Sequence, residues 1–204
     1  MDARVLVVFY SRSGCCEALA NALAEGASAS GAQVRIRRAR EIVGSDTMRL
    51  VPGWAESAAR MNAAYEAPTP KDVVWANGLA LGSPTRFGSF ASELRAFVES
   101  LGGLWVQGDL YGKAAGVFTS TSSLHGGNET TLLAAYVTLA HFGMVIVPPG
   151  YGDPIMYKGG TPYGASSVSH GQSFLPPTED DLAAARFQGR RLAEVAAALE
   201  TGSQ

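Results

Sequence analysis

The most constraining feature of this sequence is a set of short runs that stay apolar at nearly every position. Such runs extend from Arg4 to Phe9, from Val73 to Leu81 and from Lys113 to Phe118. A strand with one wet face alternates apolar and polar residues. A strand apolar throughout is covered on both faces, which marks a parallel sheet between two helix layers. The intervening segments carry helical spacing instead. Leu19, Ala22, Leu23 and Gly26 share one face, and a short strand from Val34 to Ile36 follows the Gly31 turn. Phe90, Leu94, Phe97, Val98 and Leu101 form a second helical stripe that ends at Gly102-Gly103. A third helix from about Glu129 to His141 leads into the apolar run from Met144 to Val147. Thr178, with Asp181 three residues on, reads as a capping box. The helix it opens carries Leu182, Ala185, Gly189, Leu192, Ala196 and Leu199 on one stripe. The alternation predicts an α/β fold with a doubly wound parallel sheet.

Two stretches depart from this alternation. Residues from Arg40 to Pro70 are mixed, with a helix expected around Trp54 to Tyr65. Residues from Pro148 to Pro177 are rich in Gly, Pro, Tyr and Ser, and a segment that long is usually functional or an interface element. Neither reads as a linker, so the expectation for the 204 residues is one domain.

Composition removes several classes of function. The formal net charge is −2, 17% of residues are charged, and no basic stripe suits nucleic acid. No apolar run approaches the roughly 20 residues that span a bilayer. The chain enters its first strand within a few residues, leaving no room for a signal peptide, and its two cysteines, Cys15 and Cys16, are adjacent and frame no cross-links. The expected location is cytoplasmic. The three histidines are scattered, so no metal site is expected, and His125 and His170 read as solvated loop residues.

The 24 glycines cluster at the strand ends. Ligands of open parallel sheets sit beyond the carboxyl ends of the strands, and three loops fall there. The first is Ser11-Arg12-Ser13-Gly14-Cys15-Cys16, joining a strand to a helix N-terminus. It is neither a Walker motif nor Gly-x-Gly-x-x-Gly, and it reads equally as a capped turn or as a phosphate cradle. The others run from Gly82 to Ser89 and from Thr119 to Glu129, and offer hydroxyls, amides and one aromatic ring suited to a flat polar heterocycle.

Several motifs occur in register along the chain: Ser83-Pro84-Thr85-Arg86-Phe87-Gly88, Gly102-Gly103-Leu104-Trp105, the loop from Phe118 to Glu129, His141-Phe142-Gly143-Met144-Val145, and Gly159-Gly160-Thr161-Pro162-Tyr163-Gly164-Ala165. Together they closely resemble the WrbA family of flavodoxin-like NAD(P)H:quinone oxidoreductases, from Val5 to about Arg190. The resemblance implies a five-stranded parallel sheet of order 2-1-3-4-5, helices on both faces, and an added segment near the start of the last strand. It implies FMN as cofactor, NAD(P)H and quinone as substrates, and a homotetramer with active sites at subunit contacts.

Carried over by position, the resemblance puts the FMN phosphate on Ser11, Arg12, Ser13, Gly14, Cys15 and Cys16. It puts the isoalloxazine against Pro84, Thr85, Arg86, Phe87 and Gly88, and against Ser120, Thr121, Ser122, Ser123, Leu124, His125, Gly126 and Gly127. His141 matches a histidine near the flavin, the candidate catalytic hydrogen-bond donor. Trp105 matches a substrate-pocket aromatic contributed across a subunit boundary, and Gly159 to Ala165 a loop near the tetramer contacts. Ser13 stands where many members have a tyrosine that holds the nicotinamide, Cys15 replaces a common histidine, and Phe142 replaces the second histidine of a His-His-Gly pair. Leu124-His125 sits where others are glycine-rich, and the stretch from Tyr151 to Lys158 is shorter than in many relatives. The implied reaction is a two-electron, ping-pong hydride transfer from NAD(P)H to quinone. The alternatives are a flavodoxin-type FMN electron carrier or FMN-binding regulatory module, which the small net charge disfavours, and a scaffold without flavin that serves only as an interaction partner.

Overall fold

The computed structural model describes residues 3–171 and 175–202. The first apolar run forms β1 (Arg4–Phe9), and its pleat explains why every position after Arg4 is apolar. Val5, Val7 and Phe9 enter one core with α1 (Cys15–Ala29) and α8 (Glu179–Gly202). Leu6, Val8 and, just beyond the strand, Tyr10 enter the other, with α4 (Pro70–Trp75), α5 (Ser92–Glu99) and α7 (Asn128–His141). Successive side chains point to opposite faces, so a strand between two helix layers needs apolar residues on both.

The parallel path is β2 (Gln33–Arg38), β1, β3 (Gly78–Arg86), β5 (Ala114–Thr121), β6 (Val145–Ile146). Counting only these strands, the order is the expected 2-1-3-4-5. Two short strands add to it. β4 (Ser89–Phe90) folds back on the end of β3, and β7 (Ser166–Val168) pairs with the end of β5.

β6 and β7 are two halves of one strand position. β6 pairs with Ala114 and Ala115, whereas β7 pairs with Thr119 to Thr121. Residues 147–165 leave the sheet between them, which is the added segment expected near the last strand's start. Gln188 of α8 bridges the gap. Its Nε2 donates to the Val117 carbonyl at 2.9 Å, and its Oε1 accepts the Ala165 N–H at 2.8 Å. Gln188 is buried, so it satisfies two backbone groups that the interrupted ladder leaves without a strand partner. Part of the stretch from Pro148 to Pro177, residues 172–174, lies outside the described residues.

Several boundaries differ from the sequence expectation, and Phe90, read as the first residue of a helical stripe, belongs to β4, with α5 starting at Ser92. The run from Val73 to Leu81 is two elements: Val73, Val74 and Trp75 belong to α4, and the strand begins at Gly78. Thr69 and Asp72 form a capping box with Pro70 at the first helical position, and this local signal overrides apolar continuity. β3 and β5 extend into segments read as loop, because Ser83 and Pro84 pair with Thr119 and Ser120. The helix expected to stop at Gly102-Gly103 is followed at once by α6 (Gly102–Gln107). The capping box of Thr178 and Asp181 is present, with both reciprocal hydrogen bonds made.

α1 and α8 cross at backbone contact. A Cβ at Gly26 would lie 1.9 Å from the Arg186 carbonyl oxygen, and one at Gly189 1.9 Å from the Leu23 carbonyl oxygen. Gly189 thus sits on the apolar stripe as its point of closest approach. Among the described residues, no helix is long and apolar enough to cross a membrane.

Candidate functional site

The carboxyl ends of β1, β3 and β5 open into one cleft, holding about 1080 Å³ of space with its open mouth included. Ser11, Arg12 and Ser13 line one wall, Pro84, Thr85 and Arg86 a second, and Ser120, Thr121 and Ser122 a third. Residues from all three predicted loops therefore meet at one place.

The first turn is shaped by Ser11, whose buried hydroxyl accepts the Gly14 N–H at 3.0 Å. Gly14 is the N-cap of α1 at φ 102°, and no side chain caps the helix. The same holds at α7, whose N-cap Gly127 has φ 93°, and at α3 (Trp54–Ala64), whose N-cap Gly53 has φ 77°. These three left-handed glycine caps all lie at or beside the cleft; α5 and α6 also start without a side-chain cap, and α4 and α8 carry complete capping boxes. Helix starts left uncapped by side chains present free N–H groups and positive dipole ends to whatever enters.

The second wall is a tight hairpin. Arg86 pairs with Ser89 across a two-residue turn in which Phe87 (φ 53°) and Gly88 (φ 78°) are both left-handed. Glycine takes that conformation freely, but a bulky side chain does so at a cost of about 1–3 kcal/mol. Thr85 holds the turn: its hydroxyl accepts the Gly88 N–H at 3.3 Å and shares a 2.6 Å hydrogen bond with the Thr131 hydroxyl of α7. The Phe87 ring is fully exposed.

In the third wall, the Thr121 hydroxyl donates to the Ser123 carbonyl at 2.9 Å, and Gly126 N–H donates to the same oxygen. Ser122, Ser123, Leu124 and His125 are exposed. The Cys16 thiol lies 3.2 Å from the Ser120 hydroxyl and joins the first wall to the third. Burial pushes the Cys16 thiol up to about 12, against smaller lowering from Ser120, and burial raises Cys15 as well. Both cysteines are free and buried, so they pack as neutral thiols.

The cleft is cationic. The Arg12 guanidinium stacks 3.7 Å from the centre of the Trp54 ring, and Arg86 donates to the Thr85 carbonyl at 2.8 Å. Burial, then the neighbouring charge of Arg12, draw Arg86 below its ordinary value. Among the described residues lining the cleft there is no carboxylate. Two guanidinium groups, serine hydroxyls and uncapped helix starts make an anion receptor.

Sequence reasoning missed one side of the cleft. Val51, Pro52, Trp54 and Ser57 line it from α3 and its lead-in, and Ser169 from beyond β7. The helix at Trp54 was legible, but its docking on Arg12 is a long-range contact with no local signal.

Comparison with known proteins follows the same lines. The family profile described as NADPH-dependent FMN reductase matches residues 3–152. The NAD(P)H dehydrogenase (quinone) of Rhodopseudomonas palustris is 43% identical over 199 residues, covering 95% of this chain and 97% of that protein. Its namesake from Deinococcus radiodurans is 42% identical over 197 residues, covering 96% of each. The chain belongs to this family. Among solved structures, the WrbA-like flavodoxin of Agrobacterium tumefaciens matches 97% of this chain and 99% of its own, with TM-score 0.64 and 22% identity. Flavodoxin 1 of Bacillus cereus matches 94% and 98%, with TM-score 0.62 and 15% identity. At those identities the structures speak for the flavodoxin-like fold alone.

Two predicted site residues of this family member lie away from the cleft. α7 begins beside it at Asn128 and ends at His141, about 20 Å along at 1.5 Å per residue. Trp105 of α6 sits at that far end, where its Nε1 donates to the His141 carbonyl at 3.0 Å. Trp105 is 54% exposed and His141 is exposed. Neither is among the residues that line the cleft, and of the other predicted residues Gly14, Cys15, Cys16, Phe87, Gly88 and Ser123 to Gly127 do not line it either.

Proposed function

We propose that this chain is an FMN-dependent NAD(P)H:quinone oxidoreductase whose cofactor sits in the cleft at the ends of β1, β3 and β5. The observation that carries the reading is the anion receptor built at the uncapped start of α1, at the position where the fold's ligands bind. The shared name of the two relatives, NAD(P)H dehydrogenase (quinone), favours the enzyme over the electron carrier.

The residues present fit FMN. A Cβ on Gly14 would meet only Glu17 Oε2, at 3.8 Å, so the turn stands open beside free helix amides. The Arg12 Nε is buried without a hydrogen-bond partner in the chain. The phosphate is assigned to the turn of residues 11–16, with the Ser11 hydroxyl and Gly14 setting its shape. Thr85 and Thr121 hold the two loops between which the ring system is assigned. When bound, FMN supplies the two-electron redox chemistry between nicotinamide and quinone. The chain contributes placement, exclusion of water by Pro84 and Trp54, and backbone N–H groups fixed beside the cleft. The exposed Phe87 ring, held in a strained turn, is assigned to the substrate-facing rim.

The chain is further proposed to act as a single domain in a cytoplasmic homotetramer. Trp105 and His141 favour assembly, because they stand at the opposite end of α7 from their own cleft, where a site role would have to be in a neighbour's. Leu133 and Val137 are exposed on the face of α7 that carries His141, four residues apart in turn, and they extend an apolar surface beside it.

The test is to load the purified protein with FMN, pass it over a sizing column and assay NADH and NADPH oxidation with benzoquinone. Co-eluting flavin absorbance and quinone-dependent turnover are expected. Protein that elutes colourless, or a flavin-loaded protein without turnover, contradicts the assignment.

A further inference from the structure

Arg38 is the largest fully buried side chain among the described residues, and it is charged. It ends β2, where its backbone pairs with Phe9 of β1. Its guanidinium makes a two-pronged pair with Glu41, Nη2 to Oε1 at 2.5 Å and Nη1 to Oε2 at 3.1 Å. The Glu41 side chain is itself only 5% exposed. Burial pushes the Glu41 carboxyl up, but hydrogen bonds and charge from Arg38 outweigh it and hold the group below its usual range. The pair is thus ionised and carries no net charge.

A buried ion pair is weak evidence for stability, because desolvation cancels much of the attraction. What the arrangement supplies is geometry. Arg38 Nη2 also donates to the Ser11 carbonyl at 3.1 Å in a fully buried contact. Arg38 Nη1 donates to the Asn62 side-chain oxygen of α3. One guanidinium therefore ties the end of β2 to the turn after β1 and to the helix that carries Trp54.

We infer that Arg38, oriented by Glu41, is a positioning residue that pre-shapes the turn of residues 11–16 for a phosphate ester. This rests on the assignment of the FMN phosphate to that turn. Ser11 is clamped twice: its carbonyl by Arg38 and its hydroxyl by the Gly14 N–H. Because the peptide is planar and trans, a Ser11 carbonyl aimed at Arg38 points the Arg12 N–H away from the buried pair. Loss of the clamp frees that peptide plane to rotate, and the turn must then be ordered when the ligand binds. The charge is already cancelled by Glu41, so the effect follows the guanidinium fork and not the charge itself. Lysine cannot replace it, having a point charge without the planar fork.

The experiment titrates apo-protein with FMN and, separately, with riboflavin, which lacks the phosphate, following quenching of flavin fluorescence. Wild type is compared with Arg38→Lys and with the double variant Arg38→Met/Glu41→Leu, which removes the pair without stranding a buried charge. FMN affinity is expected to fall about tenfold or more in both variants, a loss equivalent to one charge-assisted hydrogen bond. Riboflavin affinity should stay within about twofold, the scatter expected when no contact is lost, so the FMN preference collapses. Equal loss for both flavins would show general support of the fold and overturn the inference, as would an unchanged FMN affinity. A wild type that does not prefer FMN to riboflavin would overturn the phosphate assignment itself, a failure visible before any variant is made.

Discussion

The indole Nε1 of Trp105 donates to the backbone carbonyl of His141 at 3.0 Å, tying the start of the segment after α5 to the end of α7. The pair stands at the opposite end of α7 from the cleft, although both residues sit in motifs read as part of the flavin site. If they complete a neighbour's site, activity belongs to the assembly. Specific activity of the flavin-loaded protein should fall on dilution as sedimentation shows the assembly dissociating. Activity per chain that stays constant through dissociation would contradict the proposed sharing.

Thr85→Val removes the hydroxyl that holds both Thr131 and the Gly88 N–H while keeping the side-chain volume. The Phe87-Gly88 turn has positive φ at both residues and relies on that anchor. FMN retention should weaken by roughly threefold to tenfold, corresponding to about 0.5–1.5 kcal/mol for a lost hydrogen bond. Equilibrium dialysis measures it, and unchanged retention would show that the hairpin is not part of the cradle.

Much of this architecture is legible from local pattern. β1 matches its apolar run residue for residue, because a strand covered on both faces has no reason to alternate. The Thr178–Asp181 cap is equally local. The misreadings share a physical cause. Val73, Val74 and Trp75 look like strand because a short apolar run carries no period, and only the Thr69–Asp72 cap reveals the helix. Ser83, Pro84, Thr119 and Ser120 look like loop because they are polar, small or proline, yet they pair across β3 and β5. Contacts such as Arg12 on Trp54, or Arg38 on Ser11, join distant segments and leave no trace in spacing.

Gln188→Leu tests how the gap in the split fifth strand is bridged. The variant keeps approximate volume but strands the Val117 carbonyl and the Ala165 N–H. Each buried backbone group left unpaired costs about 1–3 kcal/mol. Urea unfolding should show a lower midpoint with an unchanged slope, and wild-type stability would mean that the gap is bridged by other means.

The Cys16 thiol, pushed up to about 12 chiefly by burial, holds its proton in the folded state where an unfolded cysteine, with its ordinary value near 9.0, would lose it. A raised folded value contributes stability that is fully present below the unfolded value and is lost as pH rises towards the folded one. The decline therefore falls between about pH 9 and pH 12. Iodoacetamide at pH 8 should leave native Cys16 unmodified and label it after unfolding. Cys16→Ser should flatten part of the alkaline decline, and rapid labelling of the native thiol would contradict its burial.

Held in this cleft, FMN would supply a two-electron path from nicotinamide to quinone. Anaerobic sequential mixing of the flavin-loaded protein tests it most directly. NADH or NADPH is added first and benzoquinone second, while flavin absorbance is followed throughout. Absorbance is expected to bleach with one equivalent of nicotinamide and to return with one equivalent of quinone. Flavin that neither nicotinamide bleaches, or that stays bleached after quinone, would contradict it.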